Sequence, residues 1–183
     1  MKIMLDAGHG PNTTGKRTPD GKMKEFEFNE VVAQLVKKEL TAFGLIVMNS
    51  HDNKRDVPLK ERTALANKMG VDAFISIHAN AFGTTWNNAN GIETFTYTKP
   101  SEQSVILASL IQNSLCSITG RTNRGVKRAN FAVVRDTRMP AVLVECGFMT
   151  NKDEAILLQS MNYRMRCAKA LAFAILCWFD RKH

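Results

Sequence analysis

LDAGHGPNTTGKRTPDG, residues 5–21, is either a glycine-rich loop that cradles phosphate or a loop that carries His9 for another purpose. Gly10, four intervening residues, Gly15 and Lys16 approach the spacing of a phosphate-binding loop. Three features break the match. Arg17 stands where a Ser or Thr hydroxyl must reach magnesium, and Pro11 deletes one of the amides that would face the anion. TPDG then continues as a turn, where a helix N-terminus is needed. The dinucleotide fingerprint fails too, because Gly8 and Gly10 would need a glycine at Thr13. The loop is therefore read through its histidine.

Outward from this loop the pattern alternates. KIMLD (2–6) reads as a buried strand, and Phe28, Val31, Val32, Leu35, Val36, Leu40 and Phe43 recur at helical spacing before a stop at Gly44. LIVM (45–48) is a strand, and the next helix is opened by Pro58 and closed by Gly70. DAFISIHAN (72–80), GIETFTY (91–97), ANFAVVR (129–135) and AVLVE (141–145) read as strands. Ser101 starts a helix after the second of these, and further helices are expected over 152–160 and 162–179. This alternation predicts one α/β domain over 1–183, with a mainly parallel sheet and helices on both faces. In such sheets ligands bind beyond the carboxyl ends of the strands.

Composition narrows the partners. The longest apolar run, ALAFAILCWF (170–179), is far too short for a membrane span. Met1 leads directly into the first strand, without the pattern of a secretory leader. A net charge of +8 favours polyanions, either nucleic acid or an anionic cell envelope. The basic residues are scattered and aromatics make up only 8% of the chain, so no specific nucleic-acid partner is expected. The four cysteines form no C-x-x-C pair and are expected to be reduced. Cys116, Cys167 and Cys177 lie in apolar helical patterns as core residues, and Cys146 should face away from Glu145.

Of the four histidines, His51 lies in the polar turn SHDNKRD and His183 is terminal, so both are expected in solvent. His9 and His78 instead follow apolar runs at predicted strand ends. Two imidazoles there make a natural pair of metal ligands, and zinc accepts a carboxylate beside them while keeping a position for water. Glu25 and Glu27, at the start of the first helix, and Glu145, at the end of AVLVE, are the candidates for a third ligand. Glu145 could equally be paired with Arg62 or Arg135.

The segments DAGHG, EFEFN opening a helix, Arg62 with Ala66–Asn67, SIHANA, GIE, RGVK and PAVLVECGFMTN occur in order over nearly all of residues 1–179. Together they resemble the zinc-dependent N-acetylmuramoyl-L-alanine amidases of the Amidase_3 type. The resemblance implies a twisted, mainly parallel sheet flanked by helices and one zinc ion held by His9, Glu25 and His78, with Glu27 the competing assignment. It also implies Glu145 as the catalytic general base and acid, and Asn80 and Arg135 as substrate contacts. The implied substrate is the amide joining N-acetylmuramic acid to L-alanine in peptidoglycan; a zinc peptidase cutting within the stem peptide is the alternative. Anionic wall polymers would meet the basic surface, no membrane partner is implied, and a monomer is expected. Only TKP separates Tyr97 from the helix starting at Ser101, leaving no room for the inhibitory helical insertion of some relatives, so an open site is expected. Without a leader, such an enzyme would be made in the cytoplasm and reach the wall after release by a holin, as an endolysin does, or after cell lysis.

Overall fold

Strands β1 (Lys2–Ala7), β3 (Ala73–Asn80) and β6 (Ala141–Phe148) are buried almost from end to end, as central strands covered on both faces must be. The computed structural model describes residues 1–181; the terminal His183 lies outside the described residues. Between and after these strands come α1 (Glu25–Ala42), β2 (Ile46–Asn49), α2 (Leu59–Met69), β4 (Ile92–Thr96), α3 (Glu102–Thr119), β5 (Asn123–Arg128), α4 (Ala132–Arg135), α5 (Lys152–Gln159) and α6 (Met161–Asp180). The strands form one sheet in the order β2-β1-β3-β6-β4-β5, parallel throughout except where β4 meets β6. No helix among the described residues is long and apolar enough to cross a membrane.

Strand alternation sorts the side chains into two layers. Ile3 and Leu5 of β1, Ile75 and Ile77 of β3, and Val142 and Val144 of β6 pack against α1, α3 and α6, whose Val36, Ile111 and Trp178 are fully or nearly fully buried. Met4, Phe74 and Leu143 face the other way, onto Ala66 of α2 and Val133 and Val134 of α4. Cys146 joins the first layer and so faces away from Glu145, as alternation requires. All four cysteines are free, with Cys146 and Cys167 buried and Cys116 and Cys177 only partly so.

Two expectations are corrected. Residues 129–135 are not a strand: AVVR (132–135) forms the short helix α4, and the strand lies just before it, at NRGVKR. β5 is an edge strand with mostly exposed or half-buried residues, so it lacks the apolar run by which a strand is recognised. His51 is not in open solvent. Its Nδ1 accepts the Ala7 N–H at 3.0 Å, Phe26 meets its ring edge-to-face, and burial lowers its pKa.

The strand ends are tied together by a buried ion pair. Arg62 Nη1 lies 2.9 Å from Asp6 Oδ1, with both side chains at most 2% exposed. Arg62 also donates to the carbonyls of Val57 and Ala7 at 2.8 and 2.6 Å, and to that of His9. Removing one partner of such a pair strands a buried charge, so Arg62→Ala is expected to cost about 3–5 kcal/mol in urea unfolding. Burial alone would raise the Asp6 pKa, but the Arg62 charge and the Ser76 and Ser50 hydroxyls outweigh it and hold the carboxyl below its usual value. Its contribution is therefore complete above the unfolded value of about 3.9 and disappears as pH falls through the lower folded value. Unfolding measured from neutral pH into acid should show this loss, and Asp6→Asn should flatten that part of the profile.

Candidate metal centre

His9 follows β1 with φ of 66°, a left-handed backbone uncommon for a residue with a Cβ. Arg62 holds this backbone by donating to the His9 carbonyl. The flanking glycines answer the question raised by the loop. A Cβ on Gly8 would lie 2.1–2.5 Å from ring atoms of His78, and one on Gly10 would lie 2.2 Å from Asp56 Oδ1. Both glycines serve close side-chain approach. Asp56 then fastens the loop, accepting from the Asn12 N–H at 2.9 Å and the Thr13 hydroxyl at 2.8 Å.

Glu25 is the first residue of α1 and is only 3% exposed. Its Oε2 lies 3.1 Å from His9 Nε2 and its Oε1 2.9 Å from His78 Nδ1. The Ala79 N–H donates to Oε1 at 3.2 Å, and Asn29 Nδ2, held at 3.0 Å on the Gly8 carbonyl, approaches the same oxygen at 3.5 Å. Burial opposes a charge on Glu25, but its bonds to His78 and His9 hold the carboxyl well below the usual carboxylate range. Glu27 takes a different part: exposed, it accepts the Lys24 N–H at 3.3 Å and caps the helix.

His9, Glu25 and His78 thus each offer one donor atom, all within 4.8 Å of one another. A carboxylate set between two imidazole nitrogens is matched by a shared cation, and two nitrogens with one oxygen suit zinc. The donor set fits such an ion.

Glu145 lies in register with His78 on the neighbouring strand and faces the same cleft. Its Oε2 is buried without a hydrogen-bond partner among the described residues. Burial pushes this carboxyl up to about 8; the charges of Glu25 and Glu93 add to the shift against the pull of His78. Neither arginine pairs with it. Arg62 is engaged by Asp6, and Arg135, exposed on α4, binds Asp136 at 2.7 and 2.9 Å. Arg135 is not among the residues lining the cleft.

Asn80 does line it, with both ends of its amide occupied: Nδ2 donates to Glu93 Oε1 at 2.7 Å and Oδ1 accepts the Ala81 N–H at 2.8 Å. Glu93, directly opposite Glu145 across β4 and β6, also binds Arg124 at 2.8 Å and Lys127. Sequence reasoning gave Glu93, Arg124 and Lys127 no role, although GIE and RGVK contain them. The signal was the alternation of GIETFTY, which sets Glu93 on the face of Phe95. The cleft holds about 460 Å³, and Val57, Leu59, Phe131 and Val133 are among its apolar lining residues.

The profile of a family described as N-acetylmuramoyl-L-alanine amidase, Amidase_3, matches residues 3–177. The amidase LytC of Bacillus subtilis is 36% identical over 170 residues, spanning 92% of this chain and 34% of LytC. The amidase CwlM of Bacillus licheniformis is 30% identical over 94% of this chain and 66% of its own length. The chain thus spans about a third of LytC and two thirds of CwlM. Among solved structures, an N-acetylmuramoyl-L-alanine amidase from Clostridium difficile 630 superposes with a TM-score of 0.94 at 31% identity, covering 100% of this chain and 98% of that one. The catalytic domain of the amidase CwlV from Bacillus (Paenibacillus) polymyxa var. colistinus gives 0.90 at 32% identity, covering 98% of each. With the family profile running through β1, β3 and β6 and the solved amidases sharing the whole sheet, the chain belongs to the Amidase_3 family of N-acetylmuramoyl-L-alanine amidases.

Proposed function

We propose that this chain hydrolyses the amide between the lactyl group of N-acetylmuramic acid and the L-alanine of the stem peptide in peptidoglycan, with one zinc ion held by His9, Glu25 and His78. The observation that carries the reading is the triad of donor atoms set in one cleft beside Glu145, whose buried Oε2 has no hydrogen-bond partner among the described residues. When bound, zinc supplies a Lewis acid that polarises a carbonyl and lowers the pKa of a water. The remaining chemistry belongs to side chains. Glu145, with its pKa brought near neutrality, takes the proton of the attacking water and delivers it to the departing alanine nitrogen. Val57, Leu59, Phe131 and Val133 receive the methyl groups of the lactyl and alanyl units and keep bulk water from the reacting amide. Asn80 acts through Glu93, holding the carboxylate that faces Glu145. The net charge of +8 draws the protein to anionic wall polymers.

Digestion of purified peptidoglycan should release new L-alanine amino termini on intact glycan strands, as read by mass spectrometry. The products should vanish with a chelator and return with zinc. New amines at another residue would assign the protein to the peptidases instead. Glu145→Gln should keep zinc but lose about 10²-fold or more in rate, the range of general acid–base catalysis. His78→Ala should lose the metal, and zinc stoichiometry on the purified variant checks it.

A further inference from the structure

Behind His78, away from Glu25, lies a chain of buried hydrogen bonds that the proposed chemistry does not use. The Ser76 hydroxyl donates to Asp6 Oδ2 at 2.6 Å. Asp6 Oδ1 accepts from the Ser50 hydroxyl at 2.7 Å and from Arg62 at 2.9 Å. Asp6, Ser76, Ser50 and Arg62 are at most 4% exposed. An ionised carboxylate only accepts, so the single Ser76 proton is committed to Asp6. The serine then presents a lone pair to His78 Nε2, 3.1 Å away. Nε2 must carry the hydrogen that fills this contact. In the neutral imidazole that a metal requires, the free lone pair then sits on Nδ1, the atom that without a metal donates to Glu25 Oε1 at 2.9 Å.

The geometry points to Ser76 and Asp6 as positioning residues that fix the His78 tautomer, leaving Nδ1 bare for the metal. This inference rests on His9, Glu25 and His78 being the zinc ligands. Arg62 extends the same network to the other imidazole, because it binds Asp6 and the His9 carbonyl together. One buried guanidinium–carboxylate pair thereby supports the His78 ring through Ser76 and the His9 backbone directly. Outer hydrogen bonds of this kind commonly set metal affinity within a 10–100-fold range.

Asp6→Asn is the discriminating substitution. The Asn oxygen takes the place of Oδ1 under Arg62 and Ser50, so its amide nitrogen faces Ser76 and donates. Ser76 then turns its proton to His78 Nε2, and the hydrogen of the ring moves to Nδ1. Zinc dissociation constants, by chelator competition, should rise about 10–100-fold in Asp6→Asn and in Ser76→Ala. Ser76→Thr keeps the hydroxyl and should bind zinc more tightly than Ser76→Ala even where its extra methyl lowers the melting temperature of the metal-free protein. Ring ¹⁵N spectra of the zinc-loaded wild type should show His78 protonated at Nε2 and metal-bound at Nδ1. That readout needs no variant. Unchanged zinc affinity in both Asp6→Asn and Ser76→Ala, or zinc bound through Nε2, would overturn the inference while leaving the metal centre standing. A wild type that binds zinc no better than His78→Ala would remove the metal centre itself, and this inference with it.

Discussion

The Asp6–Arg62 pair is the constraint on which the site is built. Burying both charges is costly, and the pair persists because their hydrogen-bonding capacity is spent on specific partners: two serine hydroxyls on the carboxylate, three backbone carbonyls on the guanidinium. Those carbonyls belong to Val57, Ala7 and His9, which lie just before α2, at the end of β1 and in the loop beyond it. A hydrophobic pair of similar volume could fill the space. It could not hold a residue at a φ of 66°, where His9 sits.

The sheet then divides the labour by side-chain alternation. One face is covered by three long helices and carries the larger apolar core. The other face is covered only by α2 and the one-turn α4, and it bears Asp6, Ser76, His78, Glu93 and Glu145. The thinner layer leaves the cleft open above the strand ends. Glu25 reaches this cleft from the first face because α1 starts at the strand edge, putting its first residue between the two histidines. Stability and chemistry thus draw on opposite sides of the same strands.

Much of this was legible in the sequence. The strands β1, β3 and β6 contain apolar runs long enough to be read directly, and the titratable residue after each run marked His9, His78 and Glu145, although β6 continues past Glu145 to Phe148. The choice between Glu25 and Glu27 was not legible, since both stand in the first turn; it depends on which way the helix enters, and the structure gives Glu27 to the capping box. β5 escaped because an edge strand needs no apolar run, and α4 was misread because four apolar-rich residues carry no period. His51 was misjudged for a related reason: a polar neighbourhood in sequence says nothing of the Ala7 amide that meets it in space. Asp6 and Ser76 went unread because a lone polar residue inside a buried strand has no local partner. Their meaning lies 44 to 70 residues away.

The glycines of the opening loop show how one residue type can serve opposite ends. In a phosphate loop, glycine lets backbone amides close on an anion. Here Gly8 yields its side-chain space to the His78 ring and Gly10 to Asp56, so what approaches is side chain. The amides are already spent, Gly8 N–H on the Ile77 carbonyl at 3.0 Å and Gly10 N–H on Thr13 at 3.0 Å. Glycine amides already bonded to the protein have nothing to offer a phosphate. It offers instead a rigid seat that sets two imidazole rings 5.2 Å apart, nearly perpendicular, with a carboxylate between them. Prior organisation of that kind lets three weak donors act as one strong site, because the entropy of bringing them together is already spent in folding.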